Sequence, residues 1–125
     1  MEIELGLEPK VVGHVSFNHP VTAWMINDIL TNGMDDGIGY WCEGVGSVGR
    51  DLGVGPGLHL GEGGVLGFRT HDGIDGVMTL ATFLSALQRH CQEKGWTPEE
   101  MWEQGDDKDA DVIIQYALFN RVAYP

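Results

Sequence analysis

Apolar and polar residues alternate with period two at the start of the chain. The apolar residues at positions 3, 5 and 7 are separated by glutamates and a glycine, which is typical of a half-buried strand. The run VVGHVSF at 11–17 predicts a second strand, and Glu8-Pro9-Lys10 between the two has the composition of a turn.

From Val21 the spacing of apolar residues lengthens to three and four, which predicts a helix over 21–31. Asn18 and Pro20 favour its start, because asparagine caps helices and proline suits the first turn. Asn32-Gly33 predicts an end in which the glycine takes the left-handed conformation. Asp35-Asp36-Gly37 then predicts a turn.

The middle of the chain is dominated by glycine. Aromatic and branched residues predict a strand at 38–43. Thirteen of the 19 glycines then lie between Gly33 and Gly67, so glycine is the commonest residue of the segment 44–64. Each interior glycine costs a helix about 1 kcal/mol relative to alanine. We therefore expect a glycine-rich loop or hairpin at 44–64 and no helix there.

The remainder combines two short strands with helices. Strands are predicted at 65–70 and 74–78, joined by a turn at His71-Asp72-Gly73. A helix at 79–94 has Thr79 as cap and Gly95 as stop, and the sequence TPEE at 97–100 begins a short helix. A last helix begins near Asp107 or Asp109 and covers 109–120. This order predicts one α+β domain over 1–125, with an antiparallel sheet packed against three to four helices.

The same periodicities select a core and an aromatic set. The expected core residues are Val15, Phe17, Met25, Ile29, Trp41, Phe68, Phe83, Leu84, Leu87, Ile113, Tyr116 and Leu118. The aromatic set, expected to serve mostly in packing, is Trp24, Tyr40, Trp41, Trp96 and Trp102. Any member of this set that proves exposed would mark a protein interface.

The sequence GVGSVG at 44–49 matches the G-x-G-x-x-G pattern of dinucleotide-binding turns. That pattern holds a pyrophosphate only where a helix begins directly after it and offers its amides. The residues that follow, RDLGVGPG, oppose a helix start. A nucleotide cofactor is therefore not expected.

Charge restricts the partners. The 125 residues include 19 acids against seven bases, for a net charge of −12, which argues against binding to nucleic acid or anionic lipid. No apolar run approaches the roughly 20 residues of a membrane span, and the acidic start MEIELGLEPK is unlike a secretory signal. We expect a cytoplasmic protein in which Cys42 and Cys91 are reduced and packed.

Acidic residues concentrate near the C-terminus in a segment here called the acidic block: Glu99, Glu100, Glu103, Asp106, Asp107, Asp109 and Asp111. Two interpretations stay open. The block is a solvated rim at helix starts, where the dipole favours acids, or it is a surface that imitates phosphate spacing for a basic partner. A calcium loop is excluded, because Val112 and Leu118 stand where glycine and glutamate are required.

Enzymatic chemistry has little support in the sequence. No spacing typical of a metal-binding helix occurs, and His90 and Cys91 are neighbours that point about 100° apart on a helix. The expectation is a protein without catalytic residues, metal or cofactor. The alternative is a metal-binding protein or metal-dependent hydrolase that uses His59, His71, Asp72 and Asp75.

The ending GDDKDADVIIQYALFNRVAY at 105–124, with the central pair Tyr40-Trp41, resembles small acidic uncharacterised proteins of phages and mobile elements. The resemblance implies a mobile-element origin and leaves the activity open. Together with the charge, it leads to the expectation of an accessory protein that binds a basic host protein. Such a protein would act as an anti-CRISPR or anti-nuclease inhibitor by nucleic-acid mimicry. A structural phage component is the further alternative.

Overall fold

The computed structural model describes residues 18–125. The strands predicted within 1–17, and the core positions Val15 and Phe17, lie outside the described residues. Along residues 18–125 the elements follow in the order α1 (Ala23–Asn32), a π-helical segment (Gly33–Gly37), β1 (Cys42–Val48), α2 (Pro56–Gly61), β2 (Val65–Thr70), β3 (Asp75–Met78), α3 (Leu80–Lys94), α4 (Pro98–Gln104) and α5 (Asp107–Phe119).

The three strands form an antiparallel sheet in the order β1-β2-β3. Helices α2 and α5 contact this sheet, and α3 and α1 pack on α5. Leu66, Phe68 and Met78 face the helices and are buried, whereas Val77 on the other face is 56% exposed. The predicted α+β class with an antiparallel sheet is confirmed.

β1 begins later than predicted. Only Cys42 and Glu43 of the predicted strand 38–43 belong to it, and it continues to Val48 through the sequence GVGSV. The reason is non-local, since Val45 pairs with Phe68 and Val48 pairs with Val65. Pairing with β2 holds this glycine-rich sequence in a strand although its own strand propensity is low. The motif GVGSVG therefore runs along a strand and does not open a helix.

The prediction that 44–64 contains no helix is wrong, because α2 lies there. Pro56 occupies its first turn, and Gly57 lets it approach α1 closely. A Cβ atom at Gly57 would lie 2.2 Å from the backbone nitrogen of Asn27. The Gly57 N–H donates to Asn27 Oδ1 at 3.1 Å. Tertiary packing thus outweighs the low helix propensity of glycine.

The α-helix ends at Asn32 with Gly33 as its cap, as predicted, but the prediction that Gly33 is left-handed is wrong. Gly33 keeps right-handed helical angles, φ −65° and ψ −45°, and the chain continues into the π-helical segment, so Asp35-Asp36-Gly37 is not a turn. A Cβ at Gly33 would lie 2.6 Å from Ile114 Cδ1, and one at Gly37 would lie 2.7 Å from the Asp107 carbonyl oxygen. These glycines allow close contact between the π-helical segment and α5. This contact accompanies the continuation of helical structure past Gly33.

The C-terminal helices begin and end close to the predicted positions. Thr79 and Thr97 form capping boxes with Thr82 and Glu100, and Gly95 ends α3 in the left-handed conformation. α5 starts at Asp107, one of the two predicted positions, because Asp106 caps it by accepting from the Lys108 and Asp109 amides. The signals here are local, which is why sequence alone located them.

Most of the expected core is buried: Met25, Ile29, Trp41, Phe68, Phe83, Leu87 and Ile113. Leu84 is 36% exposed, and Tyr116 and Leu118 are only partly buried. Among the aromatic set Trp41 is buried and Trp96 partly so, but Trp24, Tyr40 and Trp102 are 65%, 57% and 42% exposed. The expectation that this set serves mostly in packing is therefore wrong for three of its members.

Candidate protein-binding surface

The acidic block divides into buried and exposed carboxylates. Asp109 and Asp111 are only 9% and 8% exposed, respectively. Both lie on the side of α5 that faces the rest of the protein, where each accepts hydrogen bonds from other elements. These two residues are structural, so a surface for a partner has to be built from the others.

Asp111 ties the C-terminal segment to the chain before β1. Its Oδ1 accepts from Trp41 Nε1 at 2.8 Å and from Gln115 Nε2 at 2.9 Å, and its Oδ2 accepts from the Tyr40 hydroxyl at 2.6 Å. Gln115 in turn accepts from the Tyr124 N–H, and the Tyr124 ring stacks on Trp41 with centroids 5.4 Å apart. Partial burial and the hydrogen bond to Asp111 raise the pKa of Tyr40 to about 12.

Asp109 anchors α5 to the end of α3. Its Oδ1 accepts from His90 Nε2 at 2.8 Å and lies 3.5 Å from Lys94 Nζ, while its Oδ2 accepts from the Asp106 N–H at 3.0 Å. Burial raises the pKa of the Asp109 carboxyl, but the hydrogen bonds from Asp106 and His90 and the charge of Lys94 outweigh it. The net pKa is below its usual value.

Substituting Asp109 with asparagine should lower the free energy of unfolding at pH 7 by about 2 kcal/mol, because one of its two accepting oxygens becomes an amide nitrogen and the charge that faces Lys94 is removed. A carboxyl whose pKa is depressed in the folded state stabilises the fold at pH values above its unfolded pKa of roughly 3.9. That contribution to stability is lost as the pH falls through the pKa of the folded state. The difference in the free energy of unfolding between wild type and Asp109→Asn should therefore be at its maximum above about pH 5 and decrease below about pH 4.

Urea unfolding of both proteins between pH 2 and pH 7 measures this difference. Asp107→Asn is the matched control, since Asp107 stands in the same first turn and its side chain makes no hydrogen bond within residues 18–125. If the difference in the free energy of unfolding between wild type and Asp109→Asn persisted unchanged to pH 2, the charge at this position would not stabilise the fold.

Two exposed or half-buried acids of the block serve as helix caps. Asp106 caps α5, and Glu100 Oε1 accepts from the Thr97 N–H at 3.1 Å. Glu99 and Glu103, both exposed, and Asp107, half-buried, make no such contact. Further exposed carboxylates lie on α1 and the π-helical segment, which contact α4 and α5 respectively.

The exposed and half-buried acids of these contacting elements are here grouped as the acidic face. Gly37 lies against the Asp107 carbonyl oxygen, so Asp35 and Asp36 lie beside the start of α5. Asp28 Oδ2 accepts from Trp102 Nε1 at 2.9 Å, which joins α1 to α4. The acidic face consists of Asp28, Asp35, Asp36, Glu99, Glu103, Asp106 and Asp107.

Little positive charge opposes this face. In residues 18–125 the ion pairs within 4.0 Å join Arg69 to Asp75, Arg89 to Glu93, and His90 and Lys94 to Asp109, so none includes an acid of the acidic face. Lys108 is the one base within 99–111. The face therefore has an uncompensated negative potential.

Two exposed tryptophans stand on the acidic face. Trp102 reaches Asp28 from α4, and Trp24 precedes Asp28 by one helical turn on α1, on the side away from the buried residues. Large exposed apolar side chains at positions that packing does not require are typical of protein interfaces. The arrangement offers aromatic contact area surrounded by carboxylates.

The candidate metal residues are not brought together. His59 is buried, with Nε2 3.1 Å from the Val65 carbonyl oxygen, whereas His71 Nε2 lies 3.0 Å from that of Gly39. Asp75 pairs with Arg69 at 2.9 Å, and Asp72 accepts from the Tyr124 hydroxyl at 3.4 Å. In the part of the chain that the structure describes, no three His, Cys, Asp or Glu side chains are grouped to hold a metal ion.

The cysteines are buried and unbridged. Burial, with a smaller contribution from the charge of Glu100, raises the pKa of Cys91 to about 11, and burial raises that of Cys42. A raised pKa disfavours the thiolate that a nucleophile requires. His90 Nε2 lies 2.8 Å from Asp109 Oδ1, and within residues 18–125 no hydrogen bond joins His90 to Cys91.

Sequence reasoning missed the contribution of α1 and the π-helical segment. Asp28, Asp35 and Asp36 are far from 99–111 in sequence, and Asp35-Asp36 was assigned to a turn. Continuing the helix to Gly37 would have placed them on a second acidic helix. No local signal, however, shows that this helix packs beside α4 and α5.

No family model, curated protein or solved structure matches the chain. Among residues 18–125 there is no helix with the length and apolar character that crossing a membrane would require.

Proposed function

We propose that the protein is a non-enzymatic binding protein whose acidic face docks on a basic protein and occupies the site where that partner binds nucleic acid. The observation that carries the proposal is the pair of exposed tryptophans, Trp24 and Trp102, set among carboxylates that lack basic neighbours within 4.0 Å in residues 18–125.

The two components have different roles in binding. Carboxylates attract a basic surface over several ångströms and accelerate association, an effect that salt weakens. Aromatic side chains supply most of the buried apolar area at small interfaces and are enriched among residues whose loss costs the most affinity. A solvated rim needs the first component only, so the tryptophans favour a binding surface.

Nucleic-acid mimicry follows from the charge of the partner. A protein surface that accepts closely spaced carboxylates is one that also accepts phosphates, so the acidic face and nucleic acid would compete for it. The resemblance to phage and mobile-element proteins supports a host defence protein, such as a CRISPR effector or a nuclease, as that partner. In this proposal the protein is an inhibitor that acts by occlusion.

The test compares two variants of equal net charge. In the face variant Asp35, Asp36, Glu99 and Glu103 become amides, and none of these side chains makes a hydrogen bond or an ion pair within residues 18–125. In the control variant Glu43, Asp51, Glu62 and Asp72, which are exposed on the sheet and its connections, become amides. A partner is first captured from host lysate on the wild-type protein and then purified.

The face variant should bind the purified partner at least tenfold more weakly than wild type, about 1.4 kcal/mol, and the control variant should lose far less. Wild type should also displace duplex DNA or RNA from the partner, with an affinity that falls as salt rises. An equal loss of affinity in both variants would show that only the net charge matters. No loss of affinity in either variant would show that the acidic face is a solvated rim without a role in binding.

A further inference from the structure

Trp24, Asp28 and Trp102 form a small unit within the acidic face, here called the indole–carboxylate site. Trp102 donates to Asp28 from α4 at 2.9 Å, and Trp24 stands one turn before Asp28 on α1, which puts the two residues on the same side of that helix. The hydrogen bond goes to Oδ2, and Oδ1 accepts none from residues 18–125. Both indoles remain exposed, Trp24 at 65% and Trp102 at 42%.

This arrangement has the chemistry of a site for one cationic side chain. A cation is attracted to the face of an indole, which is the most favourable aromatic ring for this contact. The fixed carboxylate adds a charge-assisted hydrogen bond in the same place. The Trp102 N–H holds Asp28 in one orientation, so part of the ordering of the site is complete before a partner arrives.

The geometry favours arginine over lysine. A guanidinium is planar, stacks on aromatic faces and is more weakly hydrated than an ammonium, and it donates several hydrogen bonds in one plane. The chain itself places a guanidinium over a ring, since Arg89 Cζ lies 3.8 Å from the centroid of Tyr116. The remaining carboxylates of the acidic face are individual charges without such rings and accept lysine and arginine alike.

We propose that the indole–carboxylate site receives one arginine side chain of the basic partner and so sets the register of docking on the acidic face. The proposal rests on the proposed function, which supplies the basic partner. It makes Trp24, Asp28 and Trp102 determinants of specificity, whereas Asp35, Asp36, Glu99 and Glu103 contribute charge.

The experiment uses two blocked peptides of six arginines and six lysines as probes, with dissociation constants measured calorimetrically at low salt. Wild type should bind the arginine peptide at least fivefold more tightly than the lysine peptide. Trp24→Ala and Asp28→Asn should each remove this preference while leaving the lysine peptide within about twofold of its wild-type affinity. The face variant should weaken both peptides equally and keep the preference.

Indole N–H resonances provide a readout of contact that does not depend on affinity. The arginine peptide should shift the signals of Trp24 and Trp102 and leave that of Trp96, which is partly buried beneath Lys94, unchanged. Trp24 is exposed, so Trp24→Ala should keep the wild-type circular dichroism spectrum.

The outcomes separate the two proposals. Binding of both peptides without a preference, or a preference that survives Trp24→Ala and Asp28→Asn, overturns the arginine site and leaves the proposed function standing. Failure of both peptides to bind wild type at low salt overturns both proposals.

Discussion

Replacing Gly57 with alanine should lower the free energy of unfolding by about 4 kcal/mol, among the largest effects of a single substitution. The added Cβ would lie 2.2 Å from the backbone nitrogen of Asn27, 2.5 Å from its Cα and 2.7 Å from the Ala23 carbonyl oxygen. All three are backbone atoms of α1 or its start, so no side-chain rotation relieves the clash. The two helices must separate, which also breaks the hydrogen bond from Gly57 N to Asn27 Oδ1.

Gly61→Ala is the matched control for this prediction. Gly61 ends the same short helix, and a Cβ there would make only an ordinary contact, 3.5 Å from Ala23 Cβ. Alanine is the better helix former, so this variant should be as stable as wild type or more stable. Urea unfolding followed by circular dichroism measures both, and equal small effects would show that α1 and α2 are not in tight contact.

The position of α2 bears on the acidic face. Asn27, against which Gly57 packs, is the residue before Asp28, and Ala23 precedes Trp24. A displacement of α1 therefore moves two members of the indole–carboxylate site. Any Gly57→Ala protein that remains folded should bind the arginine peptide more weakly, whereas Gly61→Ala should bind it as wild type does.

The elements that sequence located correctly are those whose signals are local. The capping boxes at Thr79 and Thr97 and the left-handed Gly95 each depend on residues within one turn. The helices that follow Thr79 and Thr97 begin where the sequence predicts. Strands β2 and β3 were found for the same reason, since turn residues separate two short apolar runs.

Glycine caused the main errors, because its two roles look alike in a sequence. Gly95 adopts the left-handed conformation, with φ 70°, as the sequence predicts. Gly33 and Gly57 instead remove a side chain where two helices meet, and both stand inside helical structure. Distinguishing the roles requires the identity of the facing element, which is far away in the chain.

In the acidic block, too, the residues that are close in the sequence are not the ones that share the folded surface. Its seven residues lie within the 13 positions 99–111, but burial removes Asp109 and Asp111 from the surface. Asp28, Asp35 and Asp36 join the exposed members only through the packing of α1 and the π-helical segment on α4 and α5. Helical periodicity around Asp109 and Asp111, with Ile113 and Ile114 one turn on, was the available indication that both face inward.

Replacing Asp111 with alanine should lower the free energy of unfolding by about 3 kcal/mol, because a buried network loses its central acceptor. The Trp41 indole N–H, on a residue that is 1% exposed, is left without a partner. The Tyr40 hydroxyl and the Gln115 amide both retain the Tyr124 carbonyl oxygen, at 2.8 and 3.0 Å. The cost is therefore concentrated at Trp41.

Two further variants separate the network from charge alone. Asp111→Asn keeps an oxygen for Trp41, and the Tyr40 hydroxyl can turn its proton to the Tyr124 carbonyl, so the loss should be about 1 kcal/mol. Glu103→Ala removes a charge from the same acidic block on an exposed side chain and should leave stability nearly unchanged. Urea unfolding measures all three. Comparable stability in Asp111→Ala and Glu103→Ala would show that Asp111 belongs to the surface charge and not to the fold.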